Sequence, residues 1–198
     1  MARHTCSTAP AAEVALRLAL MENARAPAGA AGPGGYRVFA EAAMAFLVRE
    51  LRRPDSLFAD HIKDDGSIEP TVWSYNQGTT VGAWALWHRL TGEHEPLELA
   101  RDTASAAITY FGQEDRLWQQ PPVFNAVFMR NLLLLDEVSP FPAGGAMLAA
   151  YLDGAWSESR DPHTGWFTGG GIGRYGRGGS IDLAAFAQLY ARAARHGL

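Results

Sequence analysis

The chain has 198 residues and is 47% hydrophobic, with six Trp, nine Phe and six Tyr, enough for one domain with a substantial core and unlike a disordered composition. Its net charge of −4, with no block of Lys or Arg, argues against nucleic-acid binding. The single Cys6 excludes an intramolecular disulfide and a thiolate-rich zinc site, and no apolar run approaches the roughly 20 residues that span a membrane.

Taken in chain order, the hydrophobic periodicity is helical almost throughout. Ala11, Val14, Ala15 and Leu18 make a first stripe, with Pro10 suited to its opening turn. Gly29 to Gly35 reads as a linker, followed by a second stripe of Tyr36, Phe39, Ala43, Phe46 and Leu47. Residues 54 to 72 alternate weakly and could hold a short hairpin. Ala83, Leu86, Trp87 and Leu90 form a third stripe that Gly92 stops, and Pro96 suits the next start. The fourth stripe is Ala100, Ala104, Ala107, Ile108 and Phe111, and the fifth is Phe124, Val127, Phe128 and Leu135. A weaker sixth runs from Ala146 to Trp156, a Gly-rich loop occupies about 160 to 180, and Phe186, Leu189, Tyr190 and Ala193 close the set. About seven helices in antiparallel hairpins, recurring at roughly 45 residues, suit an all-α toroid or solenoid. Gly78 and Gly82, four apart on one face, would allow a close helix contact or simply relax a crowded first turn.

The most specific string is WSYNQG, Trp73 to Gly78, where a loop becomes the third helix. Aromatic rings match the apolar face of a pyranose, and side-chain amides match neutral hydroxyls at about 0.5–1.5 kcal/mol per bond. Trp73 or Tyr75 could stack on a sugar, and Asn76 and Gln77 could bond its hydroxyls from the first helical turn. The competing reading is an Asn cap with a packed ring.

The segment resembles glycoside hydrolase family 76, the endo-α-1,6-mannanases, whose W-[ST]-Y-N-Q-G motif precedes a helix ending in T-G. Here WSYNQG is followed by TTVGAWALWHRLTG, FNAVFMRNL looks like the family's next inner helix, and CSTAPAAEVALRLA sits where the family has a cleft-lining helix. The resemblance implies that residues 1–198 form a single domain, a partial (α/α)6 toroid matching the C-terminal half to two-thirds of the family domain. It implies retaining hydrolysis of α-1,6-mannosidic bonds, with oligo- or polysaccharide as substrate. The family's catalytic Asp-Asp pair belongs to a segment ahead of the matched region, so the catalytic residues of this chain are not identified. Asp64-Asp65 is the low-ranking candidate, because KDDGS reads as a solvated turn. Glu114-Asp115 reads as a loop and Asp136-Glu137 as a helix end.

Other constellations carry less. GGGIGRYGRGG lacks the Gly-Lys-Ser/Thr of a phosphate loop; it could cross the toroid mouth, making Trp166, Arg174 and Tyr175 substrate contacts, or be an ordinary surface loop. The six histidines show no metal-ligand spacing, so neither metal nor cofactor is expected. Arg130 could line the cleft or pair with an acid such as Asp136.

The expected function is therefore that of a mannanase-like glycoside hydrolase, with Trp73, Tyr75, Asn76, Gln77, Arg130 and Trp166 as substrate-binding residues. The alternative is a non-catalytic sugar-binding half-toroid completed by a partner, whose open apolar face favours self-association. A third reading is a sugar epimerase or isomerase on the same fold, with His as acid and base. MARHTCSTAP has no apolar h-region, so the chain as written reads as cytoplasmic; an upstream start would make it secreted.

Overall fold

A computed structural model describes residues 3–25, 34–167 and 179–198. The expected linker glycines before residue 34, the triplet Gly169–Gly171, Gly178, Arg174 and Tyr175 lie outside the described residues.

The order is β1 (Arg3–His4), α1 (Thr5–Arg25), α2 (Gly35–Glu50), β2 (His61–Ile62), β3 (Ile68–Glu69), α3 (Ser74–Thr91), α4 (His94–Phe111), α5 (Pro122–Val138), α6 (Pro142–Gly154), a π turn (Ala155–Ser159) and α7 (Ser180–His196). All seven expected helices are present. α1, α3, α5 and α7 pack side by side in one row, and α2, α4 and α6 cover that row from outside. The architecture is an all-α partial toroid.

Helix α3 is the most enclosed, because α1 and α5 flank it and α4 backs it. Beyond its first turn its buried residues are mostly small or apolar. A Cβ on Gly78 would lie 2.5 Å from the backbone Cα of Phe128, and one on Gly82 would overlap the Asn131 amide. The glycine pair is therefore the contact surface with α5. The buried hydroxyls of Thr79 and Thr80 bond back to the carbonyls of Tyr75 and Asn76, which satisfies them without a partner from another helix. Gly92 ends α3 in the left-handed conformation at φ 76°, its N–H donating to the His88 carbonyl.

Two expectations are corrected. Helix α1 begins at Thr5, so Pro10 lies inside it rather than in its first turn. The cost of the missing N–H is met by tertiary anchoring: Thr5 donates its N–H to the Asp60 carbonyl at 2.8 Å and its hydroxyl to the Ala59 carbonyl at 2.6 Å. Helix α6 ends at Gly154, and the last part of the sixth stripe, including Trp156, continues as a π turn. The expected hairpin is present as β2–β3, and β1 adds a third antiparallel strand with His4 opposite His61. Among the described residues, no helix is long and apolar enough to cross a membrane.

Candidate functional site

The loop from Leu51 to Asp60 is fastened to the first turn of α3. Phe58 donates its N–H to Gln77 Oε1 at 2.8 Å, and Gln77 Nε2 donates to the carbonyls of Phe58 (2.9 Å) and Trp73 (3.2 Å). Gln77 is wholly buried, so its amide holds two chain segments together. Asn76, also wholly buried, donates Nδ2 to Asp60 Oδ1 at 3.1 Å. The other Asp60 oxygen lies 3.0 Å from His61 Nδ1. His61 faces the His4 ring with centroids 4.6 Å apart.

The far side of the site is aromatic. Phe124, in the first turn of α5, meets the Trp73 ring edge-on at 5.7 Å and the Tyr75 ring at 4.2 Å. All three side chains are half-buried. The N–H of Ser74 donates to Gln120 Oε1 at 3.1 Å, which ties the start of α3 to the loop before α5. The N-termini of α1, α3 and α5 are thus gathered at one end of the row. Their positive dipole ends favour a carboxylate there, and Asp60 occupies that position between α1 and α3. Burial, with smaller contributions from Cys6 and Asp60, holds the Tyr75 phenol above its ordinary range. Tyr75 is therefore a neutral hydroxyl at physiological pH.

The other expected site residues lie elsewhere. Arg130 sits midway along α5 with Nη2 3.2 Å from both oxygens of Glu13, a buried carboxylate on α1 that also takes Arg17 at 2.8 Å. Arg130 therefore pairs with Glu13 rather than Asp136, whose carboxylate accepts the N–H of Phe141. Trp166 is 59% exposed beyond the π turn and, among the described residues, shares no ring contact with WSYNQG. Asp64 and Asp65 occupy the exposed turn between β2 and β3, where Asp65 Oδ1 accepts the N–H and hydroxyl of Ser67. Among the described residues, no three of His, Cys, Asp or Glu gather as a metal-ligand set.

Sequence reasoning missed Asp60, His61, His4 and the aromatic role of Phe124. Asp60 and Asn76 are 16 residues apart, a separation no local pattern encodes. The flanking apolar residues of LFADHI were the only trace that this segment is anchored.

A half-exposed aromatic surface thus lies beside a carboxylate at the gathered ends of a helical row. The Glycosyl hydrolase family 76 model matches residues 1–190, so the chain belongs to that family. No curated protein matches it in sequence. Among solved structures, it is similar to the family 76 mannosidase Bt3792 of Bacteroides thetaiotaomicron, with a TM-score of 0.79, 21% identity, and coverage of 100% of this chain and 56% of that one. It is similar to an inactive double-aspartate variant of the α-1,6-mannanase GH76A of Salegentibacter sp. HEL1_6 in complex with α-1,6-mannotetrose, with a TM-score of 0.74, 22% identity, and coverage of 98% and 59%. A D-mannose isomerase shares the fold with a TM-score of 0.71, 16% identity, and coverage of 99% and 56%. The chain spans about half the length of these proteins.

Proposed function

We propose that the chain binds α-1,6-linked mannose oligosaccharides at the mouth formed by α1, α3 and α5, as the sugar-binding part of a mannanase-type glycoside hydrolase. The observation that carries this reading is the wall of Trp73, Tyr75 and Phe124 beside Asp60. The rings offer a stacking surface for the apolar face of mannose, and Asp60 accepts a hydroxyl. Tyr75 keeps its hydroxyl as a neutral donor. Asn76 orients Asp60, and Gln77 positions the loop that carries it, so both amides act through the carboxylate. The 198 residues are read as one domain corresponding to the C-terminal half to two-thirds of the family toroid, consistent with the span of about half of the solved relatives.

Retaining hydrolysis needs two carboxyls about 5–5.5 Å apart. Asp60 is the carboxylate that a hydrogen bond to Asn76 holds beside WSYNQG. Asp65 is engaged in its own turn, and no cleaving pair is assigned among the described residues.

The test is titration of α-1,6-mannotetraose by calorimetry, beside hydrolysis of an α-1,6-mannan. Binding without turnover is expected, weakened about two- to tenfold by Tyr75→Ala, the range that one stacked ring contributes. Wild-type binding that Tyr75→Ala and Asp60→Asn leave unchanged would remove the mouth from the account. Turnover abolished by the paired Asp64→Asn and Asp65→Asn changes would make that turn catalytic after all.

A further inference from the structure

The row of inner helices has two open ends, and their surfaces match. At one end, α1 and α2 enclose a groove of about 840 Å³ walled by Ala11, Val14 and Leu18 of α1 and by Tyr36 and Phe39 of α2. Val14 is 56% exposed and Phe39 is 51% exposed. Among the described residues that line the groove, Glu22 alone carries a charge.

At the other end, α7 turns Phe186, Leu189 and Ala193 inward and leaves Ala184, Ala187, Ala191 and Arg195 exposed. These four positions follow the spacing i, i+3, i+7, i+11. The α1 stripe Ala11, Val14, Leu18, Glu22 follows the same spacing. Both stripes cover one helix face over three turns.

The helices of the row run parallel. The N-termini of α1, α3 and α5 are tied together at the mouth, and the C-terminal ends of α5 and α7 meet through Glu137 and His196 at 3.4 Å. A helix added beside α1 in the sense of the row would lie parallel to it. In that register small Ala187 and Ala191 face Val14 and Leu18, and Arg195 faces Glu22. We propose that a second copy of this chain occupies the groove, α7 of each copy seated against α1 and α2 of the other, closing a head-to-tail dimer. The seam is heterologous, so one copy contributes both of its ends. The dimer encloses the mouths of both copies in one ring. This inference stands apart from sugar binding and fails or holds separately from it.

Sedimentation velocity on the 198-residue chain over a wide concentration range tests it, with circular dichroism confirming that each variant folds. A dimer is expected, with a melting temperature that rises with protein concentration. Val14→Glu and Ala187→Glu, both at exposed positions, should each leave a monomer. Mixing the two variants should restore a dimer through one intact seam, because each keeps the face the other has lost. Glu22→Arg breaks the pair in both seams and should weaken the dimer about two- to thirtyfold, the scale of two exposed charge pairs, and adding Arg195→Glu should restore it. A monomer at every concentration would overturn the proposal and leave the groove to a helical segment from outside these residues. A dimer indifferent to Ala187→Glu, or an open-ended polymer, would overturn it equally.

Discussion

Gln77 shows how a polar residue in a string proposed to bind sugar can be taken up wholly by main chain. Its carbonyl and amide together make three bonds to main-chain groups of Phe58 and Trp73, and it has no exposed surface. Gln77→Leu keeps the volume but strands the Phe58 N–H and carbonyl away from water. A loss of about 2–3 kcal/mol is expected, since each stranded buried group costs about 1–3 kcal/mol. Chemical denaturation measures it. The loop also carries Asp60, so mannotetraose affinity should fall further in Gln77→Leu than in an equally destabilising change far from the mouth. Glu13 plays the corresponding part lower in the row, where its buried carboxylate is held by Arg17, Arg130 and the Asn131 amide. Glu13 lies outside the stripe of Ala11, Val14, Ala15 and Leu18 and on the buried face of α1, which is why the stripe did not disclose it.

At the scale of elements, the α3–α5 contact is set by absence of side chain. Gly78 meets backbone rather than a movable side chain, so an added methyl must part the helices. Gly78→Ala is expected to cost about 2–3 kcal/mol as overpacking and to lower the melting temperature by roughly 5–10 °C for a chain of this size; calorimetry reads both. The β2–β3 hairpin has a different vulnerability. Bonds from Lys63 and Thr71 lower the Glu69 carboxyl below 4.5, and bonds from Ser67 lower Asp65 below 3.8. The Glu69 partner raises Lys63 above 10.5. Depressed acids stabilise the fold above their unfolded values and lose that effect as pH falls through the folded ones. A raised base stabilises below its unfolded value and loses that effect as pH rises through the folded one. The hairpin should therefore be firmest between about pH 5 and pH 10 and loosen on both sides. Hydrogen exchange at the Lys63 and Ser67 amides, corrected for intrinsic rates, checks this at both limits.

Across the whole molecule, the helices were legible because an apolar stripe of period 3.6 is a local property of sequence, but which face is buried is not: of the α1 stripe only Ala15 is buried, and Tyr36 and Phe39 of the α2 stripe are exposed. Gly92 was legible for the same reason, since its left-handed backbone is a local demand; the glycine pair stayed open between two readings, because what it meets, Phe128 and Asn131 of α5, is far along the chain. The start of α1 was not, since Pro10 marks a helix opening by propensity and a strand pairing at residues 3–4 overrides it. The mouth was half legible. WSYNQG named the aromatic side, while Asp60 and His61 reach it through hydrogen bonds to residues far along the chain. Arg130 illustrates the limit of composition: a lone base on an apolar helix finds its acid on another helix, and sequence does not say which.

The bonds that gather the mouth bridge long stretches of chain, 54 residues from Thr5 to Ala59 and 46 from Ser74 to Gln120. The α3–α4 pair, by contrast, is joined by two residues, Gly92 and Glu93. Closing a long loop carries an entropy that short connections avoid, so the hairpins can form before the mouth does. Helical content and ligand-binding competence are then separate milestones in the birth of this protein. A newly made chain passes through a stage in which nearly every helix is in place and the site has not yet come into being.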